Sequence, residues 1–526
     1  MVITGPWPTL EPYPEEPLAP WLERASLKRG DKPALIDREG RSYSFRQTFT
    51  LARRIARLLQ EEGLGKGDRV AVIGPNVPAF LIASLGVLWA GGVVQPLNPL
   101  FREGELRYLL AASGARAALV AGDVLARVEA IRGELPELQL LHPLEEIEGL
   151  AAATPPEPRP VEIDPQRDMA LLFASGGTTG LPKLIPLSHF NIVANLRQIA
   201  AAHSYMSLYV FLTSLPLYFS FGLTAQGFSG LFTGATQVIM PRFDAEEALH
   251  LIEKHRVTHA AMAPPALAAL VEAARRSPRD TSSLLRLVVG GSLLKAELGD
   301  RATEVLPCHL APSIGLSEAN LINTTPARRL KPESVGPPLA DTLEKVVDVD
   351  TGEEVGPGQK GELLLKGPSV FKGYWRNPEA TQEAFTADGW FRTGDIVRAD
   401  EEGYIYILDR KKDVIKYKGY SVTPAELEEV LREHPAVLDA CVVPKQDPAV
   451  GEVPKAYIVL ASGAQAGPDE LMAYVEERVA PYKKVREVEF IEAIPRDPVG
   501  KIRRRELVDR ERAIPPGGSP GPGRAG

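Results

Sequence analysis

The sequence predicts an α/β protein: a large N-terminal domain of βαβ-type sheets with helices, followed by a small α+β C-terminal domain. Three observations predict it. At 526 residues the chain exceeds what one hydrophobic core serves. Its N-terminal part alternates short apolar runs with helical periodicity, at the spacing of βαβ units in a parallel sheet. Its last part, about 100 residues, turns to short strand-like runs and amphipathic helix, enough for a domain of its own.

The elements follow in order. Phe45, Phe49, Leu51, Ile55, Leu58 and Leu59 recur at helical spacing across 42–62, and Gly63 ends the pattern. A strand at 69–73, an apolar helix over 78–90 stopped by Gly91-Gly92, and a strand from 93 to 95 make one βαβ unit. Residues 151–166, rich in Ala, Pro and Glu, read as a linker. The run 169–173 reads as a buried strand, and Ser188 or Asn191 is placed to cap a helix running toward Ala202. Further on, 244–255 is helical and 257–262 strand-like; the switch between them separates His255 from His259, so their spacing is structural and not a metal pair. Near the C-terminus a strand at 401–408 precedes a charged turn at 409–413 and an amphipathic helix over 424–433. The domain reading is 1–408, a hinge at 409–412, a second domain at 413–512 and a disordered Pro/Gly-rich tail at 513–526.

Bulk properties exclude several classes. A net charge of −8 argues against nucleic acid as a partner. Two cysteines, Cys308 and Cys441, leave no disulfide framework or thiolate metal site and fit a cytoplasmic location. The first residues lack the basic start and apolar core of a signal peptide. Residues 204–241 carry no charge and are long enough to cross a bilayer. Pro216, Gly222, Gly227, Gly230 and Gly234 interrupt them, so they read as buried strands and helices, with no transmembrane span and only peripheral membrane contact left open.

The stretch at 174–184, ASGGTTGLPKL, concentrates the chemistry. Gly176, Gly177 and Gly180 let backbone N–H groups approach an anion. Ser175, Thr178 and Thr179 carry hydroxyls, and Lys183 adds a charge. No Gly-Lys-Ser/Thr closes it, so it is not a Walker A loop. Taken alone it suits a phosphate cradle or a surface loop, and the downstream motifs decide between them. Gly356-x-Gly358-x-x-Gly361 precedes a strand-like run, so it is a turn and not a dinucleotide fingerprint. Gly315-Leu316-Ser317-Glu318-Ala319 lacks the second glycine of a nucleophile elbow.

The stretch resembles the phosphate loop of the adenylate-forming superfamily, which includes acyl-CoA synthetases, luciferases and peptide-synthetase adenylation domains. Four further motifs match that family in its own order: Ser313-Ile314-Gly315-Leu316-Ser317-Glu318, Trp390-Phe391-Arg392-Thr393-Gly394-Asp395, Asp409 to Lys416, and Pro495 to Lys501. The resemblance runs from about residue 20 to 510 and is specific for the superfamily. It implies a C-terminal domain that rotates, with ATP, Mg²⁺ and CoA as partners. Ser175, Gly176, Gly177, Thr178, Thr179, Gly180, Lys183, Gly291, Ser313, Ile314, Gly315 and Ser317 would line the nucleotide. Glu318 would hold Mg²⁺, Asp395 would accept the ribose hydroxyls, and Arg410 would meet ribose or phosphate. Lys501 would bridge acyl carboxylate and α-phosphate, making Lys501, Glu318 and Thr178 the candidate catalytic set. Lys412 would be the pivot, Lys416 and Gly419 would face CoA, and Tyr218, Phe219 and Gly222 would line the acyl pocket.

The stretches Leu215-Pro216-Leu217-Tyr218, Gly373-Tyr374-Trp375 and Gly500-Lys501-Ile502 are similar to bacterial long- and medium-chain fatty-acid–CoA ligases. Departures from the family pattern bear on specificity. Gly176 replaces Ser or Thr, Leu184 replaces Gly, Leu293-Leu294 replaces an Ala/Pro pair, Phe219 replaces a His, and Ile314 replaces the aromatic residue that stacks on adenine. An aliphatic chain covers a base with less stacking. The expected activity is an AMP-forming fatty-acid–CoA ligase. The alternatives are an acyl-AMP ligase loading a carrier protein and a degenerate nucleotide- or acyl-binding regulator.

Overall fold

The alternating apolar runs form two mainly parallel sheets. This is a computed structural model that describes every residue except 1, 176–181, 327–328, 332, 414, 418–419, 423, 448–450, 480–482, 498–499, 501 and 513–526; at 412, 416, 420, 421, 451 and 512 it describes the backbone alone. One sheet has six strands in the order Leu140–Pro143, Ala115–Val120, Arg69–Ile73, Val93–Leu97, Met169–Ala174 and Leu184–Ser188, the last antiparallel. The other has eight: Asn320–Thr324, His309–Leu316, Arg286–Val289, His259–Met262, Val210–Thr213, Thr236–Ile239, Pro33–Ile36 and Ser42–Ser44, antiparallel only at its two ends. Strands covered on both faces need apolar side chains on both, which is why Val70 to Ile73 is continuously hydrophobic and fully buried.

Local chemistry sets the helix ends. Ser44 caps Phe45–Glu61, and Gln47 reciprocates to form a capping box. Pro78 opens the apolar helix Pro78–Trp89, where its missing N–H costs nothing. Asp244 accepts from Glu247 N at the start of Ala245–His255. His259 lies on the neighbouring strand, with its ring among Tyr205, Tyr209 and Phe211. Among the described residues no group of three or more His, Cys, Asp or Glu is placed to hold a metal ion. The uncharged stretch forms the strands Val210–Thr213 and Thr236–Ile239 with the helices Phe221–Phe228, a π-helix, and Ser229–Thr233 between them. Among the described residues no helix is long and apolar enough to cross a membrane.

A third sheet was not foreseen from sequence. Leu343–Val347, Lys360–Lys366, Phe391–Ala399 and Ile405–Arg410 form an antiparallel four-stranded sheet. Its last strand corrects the expected strand at 401–408: it starts at Ile405 and includes Asp409 and Arg410, because Arg410 pairs with Asp395 across the ladder. Four residues, 411–414, separate this sheet from the last one, and the first three, Lys411–Asp413, form a 3₁₀ turn. That sheet holds Tyr420–Val422, Ile415–Tyr417, Gly451–Leu460, Val437–Asp447 and Glu487–Phe490. The helix Pro424–Arg432 packs on it, and its core clusters draw only on residues after 414.

Glu344 makes a stability test within the third sheet. It is fully buried; Asn323 Nδ2 donates to its Oε2 at 3.1 Å, and its backbone pairs with Ile3. Burial pushes its carboxyl up to about 8, against the smaller opposing effect of the Asn323 bond. The folded form therefore holds its proton more tightly than the unfolded chain. The resulting stability is complete below the ordinary carboxyl range and is lost as pH rises through about 8. Glu344→Gln keeps the shape without the charge. Its urea midpoint should fall less than the wild type's between about pH 6 and about pH 9; equal falls would show that Glu344 ionises freely.

Candidate active site

The strand Met169–Ala174 empties into the glycine-rich loop, and the chain returns antiparallel through Leu184–Ser188, with Ala174 opposite Leu184. The loop thus closes a hairpin before the helix begins. Ser175 N donates to Lys183 O at 2.8 Å and Lys183 N to Ser175 Oγ at 2.9 Å, pinching the loop at its neck. Gly176, Gly177, Thr178, Thr179 and Gly180 lie outside the described residues. Ser188 is the cap of His189–His203, and Asn191 reciprocates from the third helical position.

Glu318 sits in the tight turn joining His309–Leu316 to Asn320–Thr324, where Gly315 passes too close to Asn320 O to admit a Cβ. The residue is half-buried. Desolvation raises its pKa, opposed by a local backbone N–H, by Tyr374 and by the charge of Arg410. Tyr374 Oη donates to Glu318 Oε1 at 3.1 Å. The Lys183 ammonium lies 4.8 Å from the centre of the Tyr374 ring, so the loop neck and Glu318 converge on one tyrosine. The sequence marked Tyr374 only as part of a family stretch and gave it no role.

The other nucleotide candidates differ in what their side chains can do. Ser313 is buried, donates to Ala311 O and shares a hydrogen bond with Thr324 Oγ1, which ties two strands together. Ile314 is partly buried against the main core, Ser317 is half-buried, and Gly291 has a positive φ with open space around its Cα. Asp395 is 1% exposed, with Arg410 Nε 2.6 Å from its Oδ1. Thr393 Oγ1 accepts from Asp395 N and donates to Leu363 O, fixing the strand from which Asp395 projects. Asp395 and Arg410 both act on the Glu318 carboxyl, in opposite directions, so these three charges share one region.

The C-terminal part meets the larger part at Pro265 and near Tyr218. Gly500 has φ +84, and a Cβ there would lie 2.6 Å from Pro265 Cγ, so both conformation and contact demand glycine. Arg496 holds this turn, with Nη1 on Gly500 O and Nη2 on Asp439 Oδ2. The Asp497 charge reaches Tyr218, whose hydroxyl burial pushes up to about 12. Lys501 and Gly419 lie outside the described residues; Lys412 is in the 3₁₀ turn and Lys416 in Ile415–Tyr417.

Of the acyl-pocket candidates, Tyr218 and Phe219 are half-buried with ring centres 4.8 Å apart. Gly222 is buried, and a Cβ there would strike Pro216 O. Phe221, which the sequence reading did not select, packs on Leu215, Ala261, Val288 and Ala311, with its ring against Gly290. Its signal was its place in a charge-free stretch.

Comparison with known proteins agrees with this geometry. Residues 22–375 match the AMP-binding enzyme family, and residues 426–501 match the AMP-binding enzyme C-terminal domain. The chain is 35% identical to a long-chain-fatty-acid–CoA ligase of Bacillus subtilis, covering 95% of each chain. It is 35% identical to 4-coumarate–CoA ligase 5 of Oryza sativa, covering 93% of this chain and 94% of the other. The ATP-bound structure of MatB from Rhodopseudomonas palustris superimposes with a TM-score of 0.86 at 27% identity, over 94% of this chain and 98% of that one. Five motifs in order, three charges in one region and matches over nearly the whole chain lead to one conclusion: the protein belongs to the AMP-binding enzyme family, among the AMP-forming acyl-CoA ligases.

Proposed function

We propose that the protein activates a medium- or long-chain fatty acid with ATP, as an acyl-adenylate with release of pyrophosphate, and then transfers the acyl group to CoA with release of AMP. The observation that carries the acyl preference is the charge-free stretch 204–241. It supplies the half-buried aromatic row from Tyr218 to Phe221, and Phe221 sits on an apolar floor of Leu215, Ala261, Val288 and Ala311. A fatty acyl chain is a fitting occupant, because each methylene it buries there contributes about 0.8 kcal/mol. The similarity to a long-chain-fatty-acid–CoA ligase supports the same reading.

In this reading the adenylation step is mostly positioning and electrostatics. Asp395, held by Arg410, accepts the ribose hydroxyls; the loop N–H groups and Lys183 receive the β- and γ-phosphates; Lys501 meets the charge developing between carboxylate and α-phosphate. Glu318 fits a Mg²⁺ ligand: it is a hard oxygen donor on a half-buried residue, with Tyr374 bonded to Oε1. Mg²⁺ ordinarily takes one or two carboxylates and completes its shell with phosphates and water, and there it would neutralise phosphate charge.

A panel of acids assayed for AMP release, with and without CoA, tests the reading. KM should fall with chain length from butyrate upward, about three- to fourfold per methylene, until the pocket is filled. Preferred turnover of 4-coumarate over decanoate would refute the fatty-acid assignment. Product release with a pantetheinyl carrier protein and none with CoA would favour the carrier-loading alternative.

A further inference from the structure

Resting on that reading, we propose that Tyr374 is a positioning residue that couples the phosphate loop to the metal carboxylate, holding Lys183 on its ring face and Glu318 on its hydroxyl. The backbone around it makes the same connection. Phe371 N donates to Glu318 O at 2.8 Å, and Trp375 N donates to Leu184 O at 2.9 Å, on the strand that leaves the loop. The segment from Phe371 to Trp375 is therefore a bracket, bonded at one end to the Glu318 turn and at the other to the loop's exit strand.

The bracket is itself held in place. Asn191 Nδ2 donates to Pro368 O and Val370 O from the helix after the loop, and Tyr374 N donates to Thr381 Oγ1. Gly373 has φ +142 and lies so close to Thr381 that a Cβ would come within 2.5 Å of Thr381 Cγ2, so this bend admits only glycine. Phe371 is fully packed against Phe391, leaving the ring of Tyr374 little freedom in its edge-on contact with Phe371. A side chain fixed this firmly can aim two charged groups of opposite sign without being charged itself. Lys183 and Glu318 are then kept apart by a neutral aromatic spacer, so that phosphate can reach the ammonium and metal can reach the carboxylate.

The test separates the two contacts. Tyr374→Phe keeps the ring and removes the donor to Glu318; Tyr374→Leu removes both. In Tyr374→Phe, Mn²⁺ binding to the complex with a non-hydrolysable ATP analogue, read by electron paramagnetic resonance, should weaken about 10-fold, as for other groups that orient a metal ligand. The Mg²⁺ concentration half-saturating acid-dependent pyrophosphate exchange should rise by the same factor, with the KM for the acid unchanged. In a Glu318→Gln background the Phe substitution should change Mn²⁺ binding less than about twofold, because the hydroxyl acts through that carboxylate. At saturating metal only Tyr374→Leu should weaken the ATP analogue, by about two- to fivefold, through loss of the seat for Lys183. Wild-type Mn²⁺ affinity in Tyr374→Phe, an undiminished effect in Glu318→Gln, or equal analogue affinity in the Phe and Leu variants would overturn the proposal. Failure of the ligase reading shows differently: the wild type would then give no exchange with any acid, whatever the Mn²⁺ titration reports.

Discussion

Lys501→Ala will depress acid-dependent pyrophosphate exchange by about 10²–10³-fold, the usual loss when one donor to developing charge is removed. Thioester formation from supplied acyl-adenylate and CoA will stay close to the wild-type rate. The asymmetry follows from where charge develops. In adenylation the carboxylate attacks a phosphorus already surrounded by negative oxygens, and a cation bridging the two groups stabilises the transition state more than the ground state. In thioester formation the adenylate already exists, and the reaction centre moves to the acyl carbon. Among the described residues before position 501, Gly500 is wedged against Pro265 and the Asp497 charge reaches Tyr218, one of the acyl-pocket candidates. Stopped-flow measurement of each half-reaction decides the matter; equal losses in both would mean that the substitution disrupts closure of the C-terminal part and not the chemistry.

Much of this was legible in the sequence, for identifiable reasons. The strand Arg69–Ile73 and the helices Phe45–Glu61 and Pro78–Trp89 emerged within a residue or a few, because burial imposes a strong hydrophobic period and Ser44, Pro78 and Gly91 punctuate it. The return strand Leu184–Ser188 did not, since Pro186 interrupts its pattern. The sheet tolerates that proline because the strand lies at its edge. Asp409 and Arg410 read as a turn by charge, yet both belong to Ile405–Arg410: Asp395 neutralises Arg410, and Asp409 accepts from Arg410 N and Ala425 N. Such pairings join residues distant in the chain, and no local pattern reports them. The same applies to Tyr374 and Glu318, 56 residues apart.

Lys412→Pro will retain pyrophosphate exchange and lose CoA-dependent thioester formation. The argument rests on what flanks residue 412. Lys411 Nζ bonds Glu362 Oε2 at 2.9 Å, on the four-stranded sheet, while Asp413 lies 3.6 Å from Arg504 Nε, on the C-terminal helix Arg504–Arg512. One neighbour is tied to each side, which makes the backbone of Lys412 the expected place for a rotation between them to be absorbed. Residue 412 now lies in a 3₁₀ turn, whose φ range includes the value to which proline is fixed. The ring also pushes Lys411 toward extended conformations, which works against the present turn as well as against the large dihedral change that a second arrangement needs. Retained exchange is the internal check that the present arrangement accepts the ring. Asp409 adds a measurable consequence, since its Oδ2 accepts from Ala425 N at 3.2 Å and so caps Pro424–Arg432 from across the turn. If thioester formation requires rotation, that cap opens in every catalytic cycle of the wild type and stays closed in Lys412→Pro. Hydrogen exchange at Ala425 during turnover should then be slower in the variant. Gly419→Trp should block the same half-reaction by bulk on the CoA side, without slowing exchange at Ala425. Undiminished acyl-CoA synthesis by both variants would rule out alternation between two arrangements, and the ligase would have to complete both half-reactions in the one described here.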